Sequence, residues 1–169
     1  GRRLAAMSAS PQGVPISRLH VSEMCRARET AGVIAGELPP GVIRTPPDPG
    51  LNEGMPAAPV PGWKELGIDE VHADHPRAEA AFQRYFHRGC CDGDGEEAHE
   101  CEVIVGHANV LRYFVCRALQ LPPEAWLRMH TFNCSVTYLL VWPNGNVQLR
   151  LLGDVGHLPE ELVTFSGRR

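Results

Sequence analysis

The segment Val103-Ile104-Val105-Gly106-His107-Ala108-Asn109-Val110-Leu111-Arg112 sets a histidine at the end of an apolar, β-prone run, just before a stretch with helical spacing. In open α/β sheets ligands bind in the crevice beyond the carboxyl ends of the strands. A helix that starts there offers unpaired amides and the positive end of its dipole, so an anion is the natural guest. His107 adds an imidazole to that place; a histidine packed in the core or closing the helix is the plainer reading of the segment by itself. A second segment, Ser22-Glu23-Met24-Cys25-Arg26-Ala27-Arg28-Glu29-Thr30, also lies where a strand gives way to a helix. Arg26 projects from the same rim, and its forked donors suit phosphate oxygens. Taken alone, an arginine near a helix start is a surface residue, and Glu29 is its i,i+3 partner. A third segment, Leu51-Asn52-Glu53-Gly54-Met55-Pro56, holds a glutamate among turn formers. Glu53 can serve as a proton donor to a leaving group, although by itself it is an exposed loop residue. In this chain order, an arginine, a carboxyl group and an imidazole are what phosphoryl transfer to and from histidine needs. The arginine binds phosphoryl oxygens, the acid protonates the leaving alkoxide and the imidazole steadies the transferring group.

The elements that must hold these residues are legible in outline. Arg18 to Ser22 reads as a strand, bounded upstream by Pro11, Gly13 and Pro15. Ala27, Ala31, Ile34, Ala35 and Leu38 recur at helical spacing from Cys25 until Pro39-Pro40-Gly41 stops the helix. Val42-Ile43-Arg44 is a second short strand. Asp48 to Gly62 is rich in proline and glycine and predicts no regular element; a loop of that length in a compact domain is functional or disordered. Asp74 is placed to cap a helix with Pro76 in its first turn, running to about Arg88 with Ala78, Ala81, Phe82, Tyr85 and Phe86 on one face. Cys91 to Glu100 reads as an acidic solvated loop and Cys101 to Gly106 as a buried strand. A helix follows from about Asn109 to Leu119, with Val110, Leu111 and Phe114 on its apolar face, and a short helix runs from Pro122 to Met129. Ser135–Trp142 and Val147–Leu152 flank Pro143-Asn144-Gly145-Asn146, a strong hairpin signal. Strands alternating with helices, plus one hairpin, predict an α/β protein with a mixed sheet. Neither a repeat nor an interdomain linker is visible.

Composition narrows the function classes. The 169 residues suit one domain with a sizeable core, 43% of them hydrophobic. A net charge of −4 argues against nucleic acid as the main partner and against a cationic membrane-surface protein. Val136 to Trp142 is the best apolar run and is far too short for a bilayer span. None of the six cysteines forms a C-x-x-C pair. Cys101, Cys116 and Cys134 read as small core residues. His87, Cys90, Cys91, His99 and Cys101 lie close together, but at spacings that match no zinc pattern, so no metal is expected.

Several stretches are similar to one known family. They are Met24 to Thr30, Leu51 to Pro56, Ala80 to Arg88, His107 to Gln120, Pro122 to Arg128, Asn133 to Thr137 and Pro143 to Gly145. With these the chain resembles, from about Arg18 to Leu158, the histidine phosphatase superfamily, the phosphoglycerate mutase-like proteins. Within it the likeness is to the mitochondrial Ser/Thr protein phosphatases. The resemblance implies a three-layer α/β/α fold with a mixed, mostly parallel sheet and one catalytic domain over residues 1–169, with the Pro/Gly-rich segment 48–62 as its active-site loop. It implies His107 and Glu53 as catalytic residues and Arg26, His107 and Ala108 as the phosphate-binding set, with no cofactor because a histidine carries the phosphoryl group. It further implies a phosphoprotein substrate, a mitochondrial outer-membrane setting with the anchor upstream, and compatibility with a homo-oligomer. The superfamily opens with a strand ending in Arg-His-Gly, whose histidine is the nucleophile, and no such triplet occurs in the 169 residues. Gly1 to Met7 resembles the tail of the helix that follows that strand. The expectation is a domain lacking its first strand, inactive by itself. A pseudophosphatase or scaffold, and a metabolic phosphomutase or small-molecule phosphatase of the same fold, are the alternatives.

Overall fold

A computed structural model of the chain describes residues 1–10, 13–62, 68–88 and 100–165. They fall into two compact units: Gly1–Asn52 with Gly89–His107, and Glu53–Arg88 with Ala108–Arg169.

The first unit is built on a parallel three-stranded sheet in the order β2-β1-β3, where β1 is Ile16–Val21, β2 is Ile43–Arg44 and β3 is Cys101–Val105. Helix α1 (Arg2–Ala9) precedes β1. Helix α2 (Cys25–Glu37) makes the crossover from β1 to β2 that parallel pairing requires. The period of two along β1 separates its faces. Leu19 and Val21 join Val105 and the α2 residues Ala27 and Ala31 in a core flanked by Ile34, Ala35, Val42 and Val103. The two alanines, one turn apart, let the helix lie close on the strands. Burial of each large aliphatic side chain is worth roughly 1.5–3 kcal/mol. Arg18 and His20 take the other face. The imidazole of His20 lies 3.1 Å from Thr45 Oγ1 and 3.0 Å from Glu102 Oε2, while Arg18 donates to Glu102 Oε1 at 2.6 Å. Burial would raise the Glu102 carboxyl, but the hydrogen bonds from Arg18 and His20 outweigh it and hold the group below its ordinary value.

The second unit contains α3 (Ile68–Tyr85), α4 (Ala108–Ala118), a 3-10 helix at Pro123–Arg128 and an antiparallel hairpin of β4 (Val136–Val141) and β5 (Val147–Asp154). Helix α4 is buried on more than one face: Val110, Tyr113, Phe114, Val115, Cys116 and Ala118 are all inaccessible. Phe82, Phe86 and Phe114 pack ring to ring between α3 and α4, with centroids 5.0–6.1 Å apart. Trp126 is buried and its indole donates to the Ala57 carbonyl at 2.9 Å. The hairpin turns at Gly145, whose φ of 89° suits glycine.

The elements agree with the sequence reading in kind, with four corrections. Helix α3 begins at Ile68 and passes through Pro76; Asp74 does not cap it, because its carboxylate accepts the Met55 amide and pairs with Arg77. Asp69 and Glu70 in the first turn favour the earlier start. The segment 48–62 is ordered rather than featureless: Pro49–Leu51 is a 3-10 turn capped by the Asp48 carboxylate, and Leu51, Pro56 and Ala57 are buried. Pro122–Met129 is wound as a 3-10 helix, with Pro122 and Pro123 opening it. Cys134 is exposed in a turn with φ of 59°, so it is no core residue. Cys90, Cys91, His99 and most of the acidic loop lie outside the described residues.

Candidate functional site

In the first unit the site is assembled at the carboxyl ends of β1 and β3. Ser22 follows β1 directly, has no exposed surface, and its amide donates to the Val105 carbonyl at 3.0 Å. That bond extends the parallel ladder by one step and brings the residue after β1 beside the end of β3. His107, two residues past β3, is 6% exposed, and its Nε2 lies 2.9 Å from Ser22 Oγ. The same hydroxyl accepts the Met24 amide at 3.2 Å and donates to Asn52 Oδ1 at 2.7 Å. Met24 is the N-cap of α2, so one buried serine ties His107 to the start of the helix that carries Arg26.

Arg26 is the second residue of α2 and is exposed. Its guanidinium has no hydrogen-bond or ion-pair partner among the described residues. The expected Arg26–Glu29 pair does not form; Glu29 instead accepts from Cys25 Sγ at 3.1 Å, a bond that raises the Cys25 thiol above its ordinary pKa. Alone among these groups, Arg26 keeps its side chain uncommitted among the described residues.

Glu53 and Ala108 belong to the second unit. Ala108 is the half-buried first residue of α4, where amides have no intrahelical acceptor. Glu53 is half-buried on a segment gripped from several sides. Asn109 Nδ2 donates to the Gly54 carbonyl at 3.1 Å, the Met55 amide donates to Asp74 Oδ2 at 2.8 Å, and Arg77 reaches the Glu53 carbonyl at 3.4 Å. His75 Nδ1 lies 2.7 Å from the Pro56 carbonyl. Arg112 backs the arrangement: it donates to Asn109 Oδ1 at 2.6 Å and the Met129 carbonyl at 3.0 Å, over the Trp126 ring. Burial pushes the Arg112 guanidinium down from its ordinary value, against the pull of Glu53. Glycine is required at 54, since a Cβ there would run into the Asp74 carboxylate and Arg77.

Sequence reasoning missed Ser22 and Asn52 as partners of His107, and Asp74, Asn109 and Arg112 as supports of the Glu53 segment. Only Asn109, next to the singled-out His107-Ala108, carried a local signal. Among the described residues no group of three or more His, Cys, Asp or Glu is arranged to hold a metal ion.

Comparison with known proteins adds independent findings. A family model described as "Histidine phosphatase superfamily (branch 1)" matches residues 80–155. The chain is 41% identical to the serine/threonine-protein phosphatase Pgam5, mitochondrial, of Caenorhabditis elegans, over 98% of this chain and 56% of the worm protein. It is 43% identical to the serine/threonine-protein phosphatase PGAM5, mitochondrial, of Homo sapiens, over 98% of this chain and 55% of that one. The chain therefore spans little more than half the length of these relatives. Among solved structures, a phosphoglycerate mutase from Plasmodium falciparum is 34% identical with a TM-score of 0.61, covering 98% of this chain and 86% of that one. A putative alpha-ribazole-5'-P phosphatase from Escherichia coli is 17% identical with a TM-score of 0.59, covering 90% and 79%, a likeness of fold alone.

Proposed function

The chain belongs to the histidine phosphatase superfamily, and from that premise we propose that it serves dephosphorylation of serine and threonine residues in phosphoproteins, through a phosphohistidine. Arg26 binds the phosphoryl oxygens, His107 and the Ala108 amide steady the group in transfer, and Glu53 protonates the leaving alkoxide. The observation that carries this reading is the Ser22 hydroxyl: it holds a buried imidazole against the N-cap of the helix that displays an unpaired arginine. Such a pairing of an oriented imidazole with an uncommitted guanidinium suits a dianionic guest. The nucleophile of this chemistry sits in an Arg-His-Gly triplet, which these 169 residues do not contain, so the chain by itself turns over no phosphoester. A mitochondrial site of action follows the names of the relatives; outer-membrane placement, an upstream anchor and homo-oligomerisation extend the same reading. No described helix is long and apolar enough to cross a membrane.

The experiment joins an Arg-His-Gly strand ahead of Gly1 and measures phosphate release, with chelator present, from a phosphothreonine peptide and from 3-phosphoglycerate. The proposal expects turnover of the peptide over the small ester, lost on removing the added histidine. Preference for the small ester would move the chain to the metabolic branch.

A further inference from the structure

We propose that the outer edge of β2 and the cleft beside it form a docking surface for an extended segment of a partner protein, one that carries an apolar side chain and a carboxylate two residues from it. The place lies in the first unit at the carboxyl end of α2, the end opposite Arg26. A cleft of about 170 Å³ opens there between α2 and β2. Ala35 and Val42, which pack on the core of the unit, form its floor, and Leu38, Pro39 and Pro40 its wall. Two successive prolines with fixed φ make that wall stiff before anything binds. Sites for whole small molecules run to roughly 300–1,000 Å³. This cleft has room for a single apolar side chain, so it suits a polypeptide rather than a free metabolite or cofactor.

Arg44 supplies the charge. It lines the same cleft, is exposed, and has no hydrogen-bond or ion-pair partner among the described residues. The backbone of β2 supplies the hydrogen bonds. It is the outer strand of the sheet β2-β1-β3, with no described strand beyond it. The Thr45 amide turns inward to the Leu19 carbonyl at 3.1 Å, so by the alternation along a strand the Arg44 amide and carbonyl point away from β1. Ile43, 57% exposed, stands on the face opposite Val42 and Arg44. An added strand bonds to such an edge through its backbone and takes its specificity from pockets for alternate side chains. The period of two then dictates the partner's sequence: an apolar residue entering the cleft, a β-branched residue beside Ile43, and an Asp or Glu reaching Arg44.

The test uses the ¹⁵N-labelled 169-residue chain and two synthetic peptides, Ser-Thr-Leu-Thr-Glu-Thr-Ser and Ser-Thr-Glu-Thr-Leu-Thr-Ser, which present the pattern in either direction. At least one should shift the amide signals of Ala35, Leu38 and Val42 to Thr45 saturably, and leave those of Arg26 and His107 in place. Gln in place of the peptide's Glu should weaken binding about two- to fivefold, the worth of an exposed ion pair. Arg44→Glu, at an exposed position outside the phosphoryl site, should lose the acidic peptide and take up its Lys counterpart. If that variant disturbs the spectrum throughout, the Glu-to-Gln exchange in the peptide decides alone. Binding that ignores both the peptide exchange and Arg44→Glu overturns the proposal, as does the absence of saturable shifts at millimolar peptide. Sedimentation of the chain and of Ile43→Lys completes the test. The two should show the same association state, and a dimer that Ile43→Lys dissociates would give the edge to a second copy of the chain and overturn the partner reading.

Discussion

Arg26 is a poor choice for the stability of α2. A cation in the first turn opposes the helix dipole, and that turn contains no acidic residue. Its guanidinium meets no described side chain, so the fold gains little from it. Arg26→Glu should therefore leave the thermal midpoint unchanged or raise stability by about 0.3–1 kcal/mol while abolishing anion binding; a clear loss of stability would show that Arg26 holds the helix instead. In a protein carrying the Arg-His-Gly strand, Arg26→Ala and His107→Ala should each cost about 2–4 kcal/mol of transition-state stabilisation, read from kcat/KM. Glu53→Gln should hurt most with alkyl leaving groups and least with nitrophenyl esters, because only the former need a proton. Equal losses across leaving groups would remove Glu53 from the acid role. Gly54→Ala should behave as a milder Glu53 variant, since its Cβ forces the segment away from Asp74 and Arg77.

Between α3 and α4, Glu79 and Arg117 form an ion pair. Arg117 donates through Nη2 at 2.7 Å and Nε at 2.9 Å, and the Tyr113 hydroxyl adds a third bond at 2.6 Å. The Arg117 bond, helped by Tyr113 and opposed by burial, lowers the Glu79 carboxyl from 4.5 to about 2. Burial and the neighbouring Glu79 raise the Tyr113 phenol, which stays protonated and donating. A carboxyl lowered on folding contributes stability above its unfolded pKa and loses it as pH falls through the folded one. Stability should thus decline between pH 4.5 and about 2, by about 1–3 kcal/mol from this group. In Glu79→Gln that part of the slope should vanish in acid-unfolding curves. An unchanged slope would place the acid sensitivity elsewhere.

At the scale of the molecule, what the sequence disclosed and what it hid divide along one line. Patterns set by neighbours in the chain were legible: the alanine-lined face of α2, the apolar run of β3 and the Asn-Gly hairpin all form where spacing and turn chemistry predict. Residues whose roles depend on distant partners were not. Asp74 looks like a helix cap because it precedes a proline, yet its partner is an amide nineteen positions earlier. Ser22 and Asn52 look like ordinary strand-end and loop residues, and only the parallel register of β1 with β3 brings Ser22 to His107. The same division holds for the site. Arg26, Glu53, His107 and Ala108 were singled out because a family motif marks them, while the groups that bond His107 and grip the segment around Glu53 carry no such mark.

The claim on which the rest depends is that Arg26 and His107 together receive a phosphoryl group, and the most direct test is orthovanadate affinity of the 169-residue chain, measured calorimetrically with Arg26→Ala and His107→Ala. Binding by the wild type, weakened by about tenfold or more in each variant, corresponding to at least about 1.4 kcal/mol, is the predicted result. Equal affinity in all three proteins, or none in a folded wild type, would contradict it.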